Sequence, residues 1–417
     1  MLKILDSFMR IRTLADSAIP VMIKSIFLRV KYTRFLSGLW PVIYSTDVHL
    51  IKGKKKSSNL GFTTLAFGDV QFSHYFANLV YSDDYEIKAL AKATYYDIPK
   101  IINHTDADII LVQADGALSR FLSRLGFLIL PKICFTLNVS ASERLFARVS
   151  RLRRRNISMI KKQGFTYEIT REPEKLDFFY SSFYLPYIFK RHGKSARQTS
   201  FFEMKQIYRK GGLLFVKLNE KYVSGILYNL YGGIVCACCL GIYKGKRQHL
   251  EEGASQAAFY FLVEWSKLKG FKEINYGLCN PFMNDGLFAY KKSWGMKAKP
   301  CKDLIYGLRV SKLNTSVVEF LSENPLVFSE SETLSGLVFR KVEGETEEGF
   351  RASSYYTPGL SRIVVGLYPA RDLPPSLLDF SKESSKSKVS KKKVTPYLFK
   401  LWSKRGGKFY EKVYSSQ

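Results

Sequence analysis

Three short runs hold the side chains most able to do chemistry. Residues 285–295, DGLFAYKKSWG, set Tyr290 and Lys291 beside Trp294. Residues 183–193, FYLPYIFKRHG, end on Arg191, His192 and Gly193. Residues 152–169, LRRRNISMIKKQGFTYEI, open with consecutive arginines before Asn156. Guanidinium groups hold phosphate or carboxylate through paired hydrogen bonds that lysine cannot copy, so Arg154, Arg155 and Arg191 suit an anionic ligand. Imidazole alone has an unperturbed pKa near neutrality, which makes His192 a candidate proton acceptor. Each residue has a plainer alternative: a solvated basic face, a helix cap at His192, a surface Lys291, a core Trp294.

Elements of recognisable type position these runs. Ala257, Phe261, Trp265 and Leu268 recur at helical spacing, and Gly270 stands where a helix would close. A short strand, Phe271 to Tyr276, leads into the polar loop GLCNPFMNDG. Upstream, residues 211–243 divide into three strands with turns at Asn219–Glu220 and Gly232–Gly233. Residues 141–163 form the densest basic helix, with Leu145, Val149, Leu152, Asn156 and Met159 expected on its packed face. Glu174 to Phe189 is expected to be helical, and Phe165 to Thr170 a strand. From Asp47 to Val139 short strands and helices alternate, with Glu86 to Tyr95 expected as helix and ADIILVQAD as a buried strand.

A helix, then GFKEINYG, then DGLFAYKKSWG resembles the C-terminal half of the FemAB-like branch of the GNAT acyltransferase superfamily. The basic run at 152–169 and FYLPYIFKRHG precede these in the family's order, so the resemblance covers about residues 140–310. It implies an α/β (α+β) fold of tandem GNAT-like domains, the first degenerate and the second better preserved. The domains expected are 47–140 and 141–310, after a basic amphipathic segment at 1–46 and before an extension at 311–380 and a basic tail at 381–417. In that fold the central strands splay, the donor ester or thioester lies in the gap, and strand amides polarise its carbonyl. The resemblance sets Arg154, Arg155 and Asn156 beside the substrate cleft with Arg191, Asn275 and Trp294, and Lys291 with Tyr290 as substrate-orienting catalytic residues. Relatives carry an acid where Asn275 stands, which leaves Asp285 or His192 as proton acceptor. The donor would be aminoacyl-tRNA or acyl-coenzyme A, with no further cofactor and no metal. The glycine-rich pyrophosphate turn is missing: KGKRQHLEEGASQ puts Glu251 and Glu252 where phosphate would sit. The acceptor would be an amine of a cell-envelope or polysaccharide precursor. A second reading is an inactive scaffold that binds nucleic acid or anionic membrane; a third is an acetyl-coenzyme-A-dependent N-acetyltransferase.

Composition bears on the partner. The chain has 417 residues, 46% hydrophobic and 15% aromatic, enough for substantial cores. A balance of 65 Lys+Arg against 36 Asp+Glu, net +29, calls for a polyanionic neighbour such as tRNA or anionic lipid. Six cysteines stand without a histidine at ligand spacing; Cys236, Cys238 and Cys239 fall in an apolar run expected to be a buried strand. No stretch reaches the length of a membrane span. The expected setting is cytoplasmic, peripheral at the inner membrane face. Residues 1–34 and the Tyr397–Trp402 segment suit basic amphipathic helices.

Overall fold

A computed structural model describes residues 45–140, 150–193, 198–330, 333–341, 352–368 and 408–413. The helices expected within 1–34 and at 397–402 lie outside these residues. The first half contains β1 (Ser45–Lys55), β2 (Gly61–Phe67), α1 (Val70–Val80), β3 (Tyr81–Thr94), α2 (Ile98–His104), β4 (Ile109–Asp115), α3 (Ser119–Arg124) and β5 (Leu128–Asn138). The second opens with α4 (Arg151–Lys162), β6 (Thr166–Thr170), α5 (Pro173–Phe179), α6 (Leu185–His192) and α7 (Phe201–Arg209). It continues through β7 (Gly211–Leu218), β8 (Lys221–Tyr231), β9 (Ile234–Ile242), α8 (Arg247–Glu251), α9 (Ala254–Leu268), β10 (Glu273–Cys279), α10 (Gly286–Ser293) and β11 (Lys297–Val310). Then come α11 (Thr315–Glu323), β12 (Leu326–Glu330), β13 (Thr333–Lys341), β14 (Leu360–Tyr368) and β15 (Lys408–Val413).

The fold is mixed α/β. Eleven strands form one sheet in the order β3-β1-β2-β4-β11-β5-β10-β9-β8-β7-β6. Only β2–β4 and β9–β10 pair in parallel within it. The boundary expected at residue 140 does not divide the sheet. The last strand of each half lies against the other half: β5 pairs with β10, β11 pairs with β4, and β5 and β11 pair with each other. The expected 311–380 extension contains α11 and most of a second, four-stranded sheet, β12-β13-β14-β15. Residues 408–413, within the expected basic tail, pair with β14 as β15.

Helices cover both faces of the large sheet, which is why its strands are apolar on both sides. Leu214, Val216 and Ile226 face the core under α9, while Leu213, Phe215 and Leu227 face Phe179, Phe183 and Met204 from α5 to α7. Ile109 and Leu111 enter one core of the first half, and Ile110 and Val112 the other. The three-strand run is present as expected. Both of its turns use paired positive φ, 49° and 58° at Asn219–Glu220 and 56° and 77° at Gly232–Gly233, the twist that a two-residue hairpin requires. Helix α9 closes with Gly270 at φ +75°.

Two expectations fail for physical reasons. Residues 86–94 belong to strand β3, at the edge of the sheet, where Leu90 is exposed and lysines line the rim. Little burial on either face leaves such a strand without a clear alternation to read. In α4 the packed face is Arg153, Ile157 and Ile160, with Leu152 and Met159 exposed. An inward arginine defeats a pattern search that assigns every arginine to water.

Candidate active site

Strands β9 and β10 run parallel for three pairs, Ile234–Glu273, Val235–Ile274 and Cys236–Asn275, and then part. Each strand carries an irregularity at the fork. Strand β10 bulges against β5 between Asn275 and Leu278, and β9 against β8 around Cys238. A cleft of about 390 Å³ opens there, lined by residues 237–240 of β9, residues 276–278 of β10, Arg191 of α6, and Tyr290 and Lys291 of α10. Ser255 brings the amino end of α9, the positive end of its dipole, to the same cleft. Central strands that splay around a gap were expected from the sequence, and β9 and β10 do so.

The bulge in β10 is held by its own side chain. Asn275 Oδ1 accepts from the Gly277 backbone N–H at 2.8 Å and from the Cys134 thiol at 3.3 Å. Gly277 adopts φ +73°. The carbonyls of Gly277 and Leu278 consequently accept from Lys291 Nζ at 3.1 and 3.3 Å. Lys291 is 3% exposed and sits within α10. Burial pushes its amine below the usual lysine range, and the Cys279 thiol offsets part of that.

Beside it, the Tyr290 hydroxyl is buried without a hydrogen-bond partner among the described residues. Burial pushes it up to about 12, and the Arg153 guanidinium opposes the rise. That guanidinium stacks 4.4 Å from the Tyr290 ring centroid and 5.9 Å from that of Trp294, and its Nε donates to Ser293 Oγ at 2.7 Å. Arg191 donates to Tyr187 Oη at 2.5 Å. Lys291, Arg153 and Arg191 form no ion pair among the described residues, and no Asp or Glu lines the cleft. The positive charge is therefore available to a ligand.

The structure brings Arg191, Tyr290 and Lys291 together at the cleft, with Asn275 shaping its wall and Trp294 packed behind. Trp294 is 1% exposed and lies against Phe259. Arg154 and Arg155 are exposed on the far side of α4, away from the inward face. The arginine beside the site is Arg153, one position earlier, and half-buried Asn156 supports it: with its amide turned to satisfy both ends, its oxygen accepts from Arg153 Nη1 at 3.1 Å. Asp285 caps α10, accepting from Leu287 and Phe288 N–H groups, and its other oxygen accepts from Tyr75 Oη at 2.9 Å. It does not line the cleft. His192 ends α6, and its side chain lies outside the described residues. Cys238 and Cys239, expected in a buried strand, line the cleft. Sequence reasoning missed them, because a fork in the sheet leaves no mark on an apolar run. Where a pyrophosphate cradle would stand, at α8, Glu251 pairs with Arg247 and Glu252 accepts from Gln248 and His249.

No protein-family model matches the chain, and no curated protein matches it. Among solved structures it is similar to FemX, with 15% identity and a TM-score of 0.35 over 65% of this chain and 86% of that one. It is similar also to the C-terminal domain of a putative lysylphosphatidylglycerol synthetase from Agrobacterium fabrum, at 13% identity and a TM-score of 0.35, covering 63% and 80%. L-PGS from Bacillus licheniformis gives 11% identity and a TM-score of 0.34, covering 64% and 86%.

Proposed function

We propose that this protein transfers an acyl or aminoacyl group from an ester or thioester donor to an amine, in the cleft between β9 and β10. The observation that carries the reading is the fork itself, with three cations grouped around it that form no ion pair among the described residues. A donor carbonyl laid into the fork meets strand edges that have no ladder partner there. Backbone N–H groups on such an edge stabilise the oxyanion as the amine attacks. Lys291 and Arg191 supply positive charge for phosphate or carboxylate groups of donor or acceptor, and Arg153 holds Tyr290 in place. Among the described residues no carboxylate lines the cleft, so in this reading the amine's proton leaves through substrate or water. Neither Asp285, engaged as a cap, nor His192 is needed. The donor best suited to net +29 and to the paired Glu251 and Glu252 is aminoacyl-tRNA; the acceptor is an amine of an envelope or polysaccharide precursor.

The missing carboxylate also favours a second reading, an inactive scaffold that binds nucleic acid or anionic lipid. Calorimetric titration of the whole protein separates these readings. Acetyl-coenzyme A and charged and uncharged tRNA would be compared at two salt concentrations. A preference for charged over uncharged tRNA that survives added salt supports aminoacyl transfer. Micromolar binding of acetyl-coenzyme A replaces the donor by a thioester. Salt-sensitive tRNA binding without preference removes the enzyme reading and leaves the scaffold.

A further inference from the structure

We infer that the outer face of α4 docks on an anionic lipid surface. This helix has two unlike sides. Its inner side, Arg153, Ile157 and Ile160, packs inward, and Arg153 stacks on Tyr290 at the cleft. Its outer side exposes Arg151, Arg154, Arg155, Lys161 and Lys162 without a single acidic residue in the helix. Along one edge of this basic face stand Leu152, 60% exposed, and Met159, 44% exposed. They are seven positions apart, two turns along one line of the helix. Arg155 and Lys162 follow them by three positions each and flank the same line.

A helix of this kind, basic and apolar on one exposed side, settles into the headgroup layer of an anionic membrane, where apolar groups enter the acyl boundary and cations meet lipid phosphates. Nucleic acid would satisfy the cations equally well but gives Leu152 and Met159 nothing to bury against. The apolar pair therefore decides for lipid. Because the two sides of α4 are a helix diameter apart, docking would bring the cleft near the headgroups. The inference does not depend on the transferase reading, since vesicle binding requires no turnover.

The test is co-sedimentation of the full chain with phosphatidylcholine vesicles made with and without phosphatidylglycerol, beside binding to a single-stranded RNA. Leu152→Gln with Met159→Gln should weaken binding to anionic vesicles several-fold and leave RNA binding unchanged. Arg151→Glu with Arg155→Glu should weaken it at least about tenfold, since each basic residue near the surface is worth about fivefold. If that variant does not keep the wild-type thermal midpoint, Arg151→Gln with Arg155→Gln replaces it, again with at least a tenfold loss expected. Unchanged vesicle binding in the glutamine pair overturns the inference, because the face then acts by charge alone. Unchanged vesicle binding after removal of the arginine charges overturns it too, and places lipid affinity elsewhere on the chain. Loss of RNA binding with vesicle binding intact identifies the face as a nucleic-acid contact instead.

Discussion

At the scale of single residues, the cleft holds buried polar groups that are only partly satisfied among the described residues. Tyr290 is the clearest case. Removing a buried hydroxyl that makes no hydrogen bond among the described residues sacrifices nothing there on folding, so Tyr290→Phe should leave stability unchanged or raise it by up to about 1 kcal/mol in urea unfolding. The same change should lower kcat/KM if the hydroxyl meets substrate, and equal losses in stability and activity would argue for a purely structural role. Lys291 adds a pH signature. Its folded pKa is depressed below the ordinary lysine value of 10.5, so the unfolded chain binds more protons in the interval between the two. Stability from this group therefore rises with pH through that interval and is lowest below it. Comparing wild type with Lys291→Met in unfolding experiments at several alkaline pH values should show the wild type gaining as pH approaches 10.5. A parallel pair of curves would mean that Lys291 titrates as an exposed lysine. Asp285→Asn tests the remaining proton acceptor. The amide oxygen can still cap α10, and turnover should stay within about threefold of wild type, well short of the ~100-fold loss typical of a missing general base.

Elements set these residues in place, and one bulge does most of it. Gly277 has open space where a Cβ would stand, so Gly277→Ala is resisted by its φ of +73° alone. That strain costs about 1–2 kcal/mol. Because the bulge also presents the two carbonyls that hold Lys291, activity should fall further than stability, a difference that kinetics on folded protein would show. Much of this scaffold was legible beforehand. The three-strand run with its Asn219–Glu220 and Gly232–Gly233 turns, the helix ending at Gly270, and the helical path from Glu174 to Phe189 all rest on local turn chemistry and period. Arg191, Tyr290 and Lys291 stood out because they flank such elements. What stayed hidden depends on distant packing. The fork between β9 and β10 follows from how β5 and β8 pair with them, and neither strand's own residues announce it. Arg153 escaped notice because its inward position is set by Tyr290, far along the chain. Strand β3 passed for a helix because an edge strand is not obliged to alternate.

The whole molecule is tied together by exchanged strands. Since β11 completes the first half and β5 the second, neither half possesses its full sheet alone. Separate production of residues 45–140 and 141–417 should give insoluble or molten material, whereas co-expression should recover a soluble pair; two independently folded halves by circular dichroism would contradict this. The second sheet belongs to the same body, with Leu326, Phe328, Leu337 and Phe339 buried against the first half's core. The exchange has a consequence for the protein's birth on the ribosome. Strand β4 is finished at Asp115, but its neighbour β11 begins only at Lys297. At about 5–20 residues per second the nascent chain waits on the order of ten to forty seconds with that apolar strand edge unclaimed. Vectorial synthesis thus gives the amino-terminal half an obligatory interval of incompleteness, during which a holdase chaperone, or another nascent copy of the chain on the same message, competes for the place reserved for β11.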